Sequence, residues 1–249
     1  MEPLEYLLAK VNLTDRTGDE RKTFGEVFDE RTVRIILKLI NSGDIIDILY
    51  PVSTGKEANI FCGKNSHGLT AIKIYRIATT SFRSIYNYID GDRRFTNFKH
   101  NIKDMIFLWA RKEYKNLMRM RSAGISVPEA YLCRGNILIM EYIGNEDSPS
   151  FTLKDMVDVD YERTYRKITD YMKLMYKKAR LVHSDLSEYN ILMRSEAEPV
   201  IIDVAQAVLI EHPNSMEFLN RDVKNINNYF RKHVKKIYTD KELIDYIVK

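Results

Sequence analysis

Cysteine is scarce in this chain. Its 249 residues include two, Cys62 and Cys133, each inside an apolar stretch. So few thiols argue against a disulfide partner or a cysteine-built metal site, and they suit a reducing, cytoplasmic compartment. No uncharged apolar run approaches the roughly 18 residues of a membrane span, so no membrane partner is expected. The opening Met1-Glu-Pro-Leu-Glu-Tyr6 is acidic and lacks the basic-then-apolar order of a signal peptide. Internal repeats, low-complexity tails and long Gly/Ser linkers are missing too.

What is present is ordinary in bulk. Hydrophobic residues make up 45% and charged residues 30% of the chain, which is typical of a globular protein. The formal charge of +4 is too mild to demand a nucleic-acid partner. Its distribution is less even: residues 93–121 carry nine Lys or Arg against two acids, whereas 141–160 carry one Lys against six acids. A local basic face suits RNA or phosphate, and equally a solvated helix face.

Apolar spacing predicts a helix over 29–43, where Val33, Ile36, Leu37 and Ile40 recur at i, i+3, i+4 and i+7 and Gly43 can end it. Strands are expected at 58–63 and 69–75 around the turn-type Asn65-Ser-His-Gly68, and at 130–134 and 136–142. Residues 77–100 are polar and aperiodic, a loop-like insert. A helix over 101–122 follows, with Ile102, Ile106, Trp109, Ala110 and Leu117 on one side. Helices are then expected at 161–181, 215–236 and 240–248. Thr152-x-x-Asp155 resembles a capping box, and Thr239-x-x-Glu242 opens the last helix. The layout is an α+β fold with two lobes: an N-terminal helical extension (1–47), a strand-rich lobe (48–142) carrying the 77–100 insert, and a helical lobe (143–249). A ligand would sit in the cleft between lobes.

The chemistry concentrates in Leu181-Val-His-Ser-Asp-Leu-Ser-Glu-Tyr-Asn-Ile-Leu192 and Val200-Ile-Ile-Asp203. Asp185 and Asn190 are spaced as in H-x-D-x-x-x-x-N, and Asp203 ends an apolar run as the Asp of D-F-G does. Phosphoryl transfer needs this order. One carboxylate (Asp185) serves the attacking oxygen, while an amide oxygen (Asn190) and a second carboxylate (Asp203) hold a divalent metal. That pattern points to ATP. Lys73, in Ala71-Ile-Lys-Ile-Tyr75, shares a strand face with Ala71 and Tyr75 and needs an anionic partner. Taken alone, a strand lysine is more often a solvent-facing edge residue. Glu113 is the sole glutamate of the 101–122 helix; it is either that partner or a surface i,i+4 neighbour of a basic residue. Ser53-Thr-Gly-Lys-Glu-Ala-Asn59 is neither G-x-G-x-x-G nor Walker A, yet Gly55 allows close backbone approach, and Ser53, Thr54 and Lys56 can donate to phosphates. A plain hairpin turn explains it as well.

Taken together, Ser53–Asn59, Ile72-Lys-Ile-Tyr75, the insert running into Trp109-Ala-Arg-Lys-Glu113, Met140-Glu-Tyr-Ile-Gly144, the Leu181–Asn190 loop and Ile201-Ile-Asp203 resemble the RIO family of atypical serine/threonine protein kinases. The resemblance covers most of the chain and is to the type-one branch shared by archaea and eukaryotes, with an archaeal source expected. It implies a reduced protein-kinase-like fold. By the same resemblance Lys73 contacts nucleotide phosphates and pairs with Glu113, and Ser53, Thr54, Gly55, Lys56, Glu57 and Ala58 cover them. Glu141 and Ile143 present backbone groups to adenine, with Met140 behind. Asn190 and Asp203 bind Mg²⁺ or Mn²⁺, Asp185 is the catalytic aspartate, and Asp203 can become an aspartyl-phosphate. The resemblance further implies autophosphorylation of a serine in the insert (Ser81 or Ser84), ATPase activity, and a role in late maturation of the small ribosomal subunit on its precursor particle and its RNA.

Departures from ordinary protein kinases narrow this. Ser184 replaces the Arg that pairs with an activation-loop phosphate, Val204-Ala205 replaces Phe-Gly, and no A-P-E follows among the roughly 107 residues after Tyr142. A peptide-docking subdomain is therefore not expected. The runner-up reading is a small-molecule phosphotransferase of the aminoglycoside or choline type, which shares H-x-D-x-x-x-x-N and a later metal Asp; the acids of 141–160 would suit its cationic substrates. The oligomeric state is left open.

Overall fold

The structure, a computed structural model, describes residues 29–77, 86, 88–95 and 101–249. Ser81 and Ser84 lie outside the described residues, as does the part of the N-terminal extension before Asp29. The chain divides into two compact units. Of the described residues, the first comprises 29–77, 101–111 and Ala130–Tyr142, and the second 86, 88–95, Lys112–Glu129 and Ile143–Lys249.

The first unit is built on helix α1 (Glu30–Asn41) and five strands: β1 (Asp47–Thr54), β2 (Ala58–Asn65), β3 (Gly68–Tyr75), β4 (Ala130–Arg134) and β5 (Ile137–Glu141). Asp29 caps α1, its carboxylate accepting the N–H groups of Arg31 and Thr32 at 2.9 and 2.8 Å. The buried stripe of α1 is Val33, Ile36 and Leu39, while Leu37 and Ile40 are only partly covered. The strands pair antiparallel in the order β1-β2-β3-β5-β4. Pro51 is tolerated because β1 is an edge strand, where a missing N–H breaks no inner ladder. Phe61, Ile72, Ile74, Ile137 and Ile139 form one core with α1. Strand alternation then sends Lys73 to the opposite face.

The second unit is mainly helical. Helix α2 (Ile102–Ser122) contributes its residues from Lys112 onward. Helix α3 (Tyr161–Leu174) comes next, then α4 (Ser215–Phe230) and α5 (Asp240–Val248). Two small antiparallel two-stranded sheets pair β6 (Leu181–Val182) with β9 (Val208–Leu209) and, as a hairpin, β7 (Ile191–Met193) with β8 (Pro199–Ile201).

Several sequence expectations need correcting. The 161–181 helix stops early: a π-turn (Met175–Ala179) and left-handed Arg180 (φ 55°) redirect the chain so that Leu181 and Val182 pair as β6. Helix α4 ends at Phe230 rather than 236; continuing would stack Arg231 on Lys235 and Lys232 on Lys236 as like-charged i,i+4 pairs. Thr152 and Asp155 do bond side chain to side chain at 2.7 Å, but in a turn. Thr152 bridges to Leu192 and the Leu153 N–H donates to the Ile191 carbonyl, which ties the turn to β7. Ile102 is exposed rather than part of the apolar side of α2. Within the basic 93–121 stretch Lys112 is fully buried and faces no solvent. No described helix is long and apolar enough to cross a membrane.

Candidate active site

In the first unit, Lys73 is buried on β3, opposite Ile60 of β2, its Nζ 5.3 Å from the centre of the Tyr75 ring. The edge-residue alternative is thereby set aside. Ser53 and Thr54 end β1 and Ala58 opens β2, with Gly55, Lys56 and Glu57 forming the turn between them. The turn is tight: the Gly55 N–H donates to the Ala58 carbonyl at 2.9 Å, and a Cβ on Gly55 would stand 2.9 Å from that same oxygen. Glycine is required here by close backbone approach. Ser53, Thr54 and Lys56 are exposed. Met140 is buried at the end of β5, where its carbonyl accepts the Thr70 hydroxyl at 2.7 Å, and Glu141 is the next residue along.

In the second unit, Glu113 is buried in α2, so it is no surface i,i+4 partner. Ile143 is buried and its carbonyl accepts Ser150 N–H at 2.9 Å, leaving its N–H as the group suited to a base edge. The β7–β8 hairpin brings Asn190 and Asp203 together: Ile201 faces Ile191, and the Ile202 N–H donates to the Asn190 carbonyl at 3.0 Å. Asn190 Nδ2 donates to the Asp185 backbone carbonyl at 2.8 Å and approaches Asp185 Oδ2 at 3.4 Å. The amide N–H groups of Asn190 are thus turned to Asp185, and Oδ1 is the atom suited to a cation. Burial and the nearby charge of Asp203 push the Asp185 carboxyl above its usual range.

Two mutually repelling carboxylates beside an amide oxygen form a hard, oxygen-rich donor set, which fits Mg²⁺ rather than a soft metal. Asp203 is exposed and adopts left-handed backbone geometry (φ 56°) before a 3₁₀ turn, Val204–Gln206. Its neighbours must hold it there, because a non-glycine residue resists that conformation.

The loop carrying Asp185 is gripped from α4 by residues that sequence reasoning missed. Buried Asp222 accepts the N–H groups of Ser184 and Leu186, the residues on either side of Asp185, at 2.8 and 2.9 Å. Arg221 donates to the Ser184 carbonyl, and Asn225 Nδ2 to that of Leu186 at 3.1 Å. Ser184 itself is left-handed (φ 73°). The position of Asp222 within the apolar stripe Phe218, Leu219, Val223, Ile226 was the available signal, since an acid on a core face needs donors. His183, also buried, has Nε2 3.1 Å from the Ile202 carbonyl, and burial pushes it down to about 4, so it is neutral at pH 7.

The RIO domain family model matches residues 58–243. The serine/threonine-protein kinase Rio1 of Methanocaldococcus jannaschii is 40% identical over 214 residues, spanning 86% of this chain and 73% of that protein. The human serine/threonine-protein kinase RIO1 is 37% identical over 233 residues, 92% of this chain but 41% of its own length. Among solved structures, the Rio2 kinase of Chaetomium thermophilum in its ADP/Mg²⁺-phosphoaspartate complex superposes with a TM-score of 0.65 over 87% of this chain and 66% of that one. At 23% identity that likeness carries the α+β, kinase-like fold alone. Fold, family model and relatives agree, and the chain belongs to the RIO family of atypical serine/threonine protein kinases.

Proposed function

We propose that this chain uses ATP with Mg²⁺, or Mn²⁺ in its place, to phosphorylate itself on serine and to hydrolyse ATP during late maturation of the small ribosomal subunit in the cytoplasm. The observation that carries the reading is the hydrogen-bonded Asp185–Asn190 pair, with Asn190 and Asp203 at the base of the β7–β8 hairpin and the charge of Asp203 felt at Asp185. Asp185, raised by burial and by Asp203, is suited to accept the proton of an attacking hydroxyl or water. Asn190 Oδ1 and Asp203 would hold the metal, which neutralises charge on the transferring phosphoryl group. Lys73 would steady the phosphates with Glu113 as the family's glutamate, under the Ser53–Ala58 turn, while Met140, Glu141 and Ile143 receive the base.

Asp203 is the candidate for an aspartyl-phosphate. Its carboxylate oxygen bonds the γ-phosphorus as the bond to the bridging β–γ oxygen breaks, and ADP departs. Ser81 and Ser84 remain the candidates for serine modification. The partner is the small-subunit precursor particle with its RNA. Membership in a protein-kinase family favours this reading over a small-molecule phosphotransferase.

The test tracks terminally labelled ATP with the wild-type protein and Asp185→Ala, with and without small-subunit precursor particles. Label in free phosphate or on the protein, stimulated by particles and lost in the variant, is expected. Label that reaches only an added small molecule, indifferent to particles, would overturn the proposal.

A further inference from the structure

The backbone on both sides of Asp203 is held through its carbonyls by buried side chains. His183 Nε2 lies 3.1 Å from the Ile202 carbonyl. Asn116 Nδ2 donates to the Val204 carbonyl at 2.8 Å and to that of Ala207 at 3.2 Å. Lys112 Nζ donates to the Ala205 and Ala207 carbonyls at 2.7 and 2.6 Å. Lys112 and Asn116 are i,i+4 neighbours on α2, both fully buried, so one helix face grips the turn just after Asp203.

Asn116 can present its N–H groups to those carbonyls only while its oxygen is oriented elsewhere. That oxygen accepts from Arg94 Nη1 at 2.7 Å. Arg94 is fixed in turn by buried Asp92, with Nε to Oδ1 at 2.9 Å and Nη2 to Oδ2 at 2.6 Å. The segment bearing Asp92 and Arg94 is docked a few residues earlier, where His212 Nε2 lies 2.8 Å from the Asp90 carbonyl. A chain of hydrogen bonds therefore runs from Asp92 through Arg94 and Asn116 to the carbonyls of Val204 and Ala207, charge-assisted as far as Asn116 and neutral beyond it. It ends beside a residue in an intrinsically unfavourable backbone conformation.

We propose that Arg94 is a positioning residue for metal-dependent nucleotide binding: by orienting the Asn116 amide it fixes the backbone that aims the Asp203 carboxylate. The inference rests on the reading of Asp203 as a metal ligand. A lysine at position 94 would keep the charge and an ion pair with Asp92. It cannot replace the planar fork that reaches Asp92 and Asn116 at once.

The test measures ADP binding by calorimetry across a Mg²⁺ titration for the wild type, Asp203→Ala, Arg94→Ala and Arg94→Lys, each with its thermal midpoint. The wild type should bind ADP more tightly as Mg²⁺ rises, and Asp203→Ala should lose that gain. Both Arg94 variants should need about tenfold more Mg²⁺ for half the gain, the usual effect of losing a group that orients a metal ligand, while metal-free ADP affinity stays near wild type. Should Arg94→Ala fail to fold, Arg94→Lys decides. A wild-type Mg²⁺ dependence in Arg94→Lys, or a loss confined to metal-free affinity or to the thermal midpoint, overturns the proposal. If Asp203→Ala itself keeps the Mg²⁺ gain, the metal role of Asp203 has failed, and the role of Arg94 with it.

Discussion

The carboxylate of Asp222 accepts the backbone N–H of Ser184 at 2.8 Å, one residue before Asp185. Its other oxygen accepts the N–H of Leu186 at 2.9 Å, so the aspartate read as catalytic is suspended between two bonds to one side chain of α4. An amide at position 222 offers one acceptor and turns its NH₂ toward the other N–H. Asp222→Asn should therefore lower turnover by about a hundredfold through misplacement of Asp185, with ADP binding nearly unchanged. Steady-state ATP hydrolysis alongside ADP calorimetry checks this; unaltered turnover would remove Asp222 from any positioning role.

The same carboxyl shapes the pH dependence of stability, in competition with His183. Burial pushes Asp222 from 3.8 up to about 7 despite the bonds from Leu186 and Ser184. Between those values the folded chain keeps a proton that the unfolded chain has released, so this contribution declines as pH rises. Burial pushes His183 from 6.5 down to about 4. There the unfolded imidazole binds a proton that the buried one refuses, so its contribution declines as pH falls. Relative to wild type, Asp222→Asn should make the thermal midpoint fall more steeply on acidification from neutral pH, and His183→Gln less steeply. Scanning calorimetry across that range would show three parallel profiles if neither assignment holds.

Gly55→Ala tests the Ser53–Ala58 turn proposed to cover the phosphates. The added methyl group would stand 2.9 Å from the Ala58 carbonyl oxygen, a backbone atom, so the turn must open. A weakening of ADP binding by about tenfold, or ~1.4 kcal/mol, is expected, with little change in thermal midpoint. Undiminished affinity would show that the turn does not serve the nucleotide.

Asn136 ties α1 to the sheet of the first unit. Its Nδ2 donates to Thr32 Oγ1 at 2.9 Å and to the Tyr75 carbonyl at 2.8 Å, with the side chain fully buried. Asn136→Ala leaves that carbonyl without its side-chain donor and should cost about 1–3 kcal/mol in urea unfolding. Asn136→Asp, which sets a carboxylate against the carbonyl, should cost more. A smaller loss in either variant would mean that water replaces the amide.

Much of the fold was legible because it obeys short periods. The apolar repeat of α1, the paired strands β2 and β3 around the 65–68 turn and the capping box at Thr239 are local, and the structure reproduces them. Helix ends were less legible, since the π-turn at Met175–Ala179 and the early stop of α4 depend on where the next stretch of chain must pack. At the candidate site, Asp185, Asn190 and Asp203 could be picked out by spacing alone, because a five-residue interval and an apolar run leading into an aspartate are linear features. Lys112 read as part of a basic stretch, yet it is a buried donor to the Ala205 and Ala207 carbonyls.

The sequence by itself determined the main helices and the strands β2–β5, the order of the residues read as handling phosphate, and the family resemblance they carry. Those properties arise from side-chain type at short separations. Tertiary structure alone decided what holds these residues in place: Asp222 on the flanks of Asp185, and Asn116, oriented by Arg94, on the carbonyls beyond Asp203. A buried polar group takes whichever donor or acceptor packing brings within about 3 Å, and those partners lie tens of residues away along the chain.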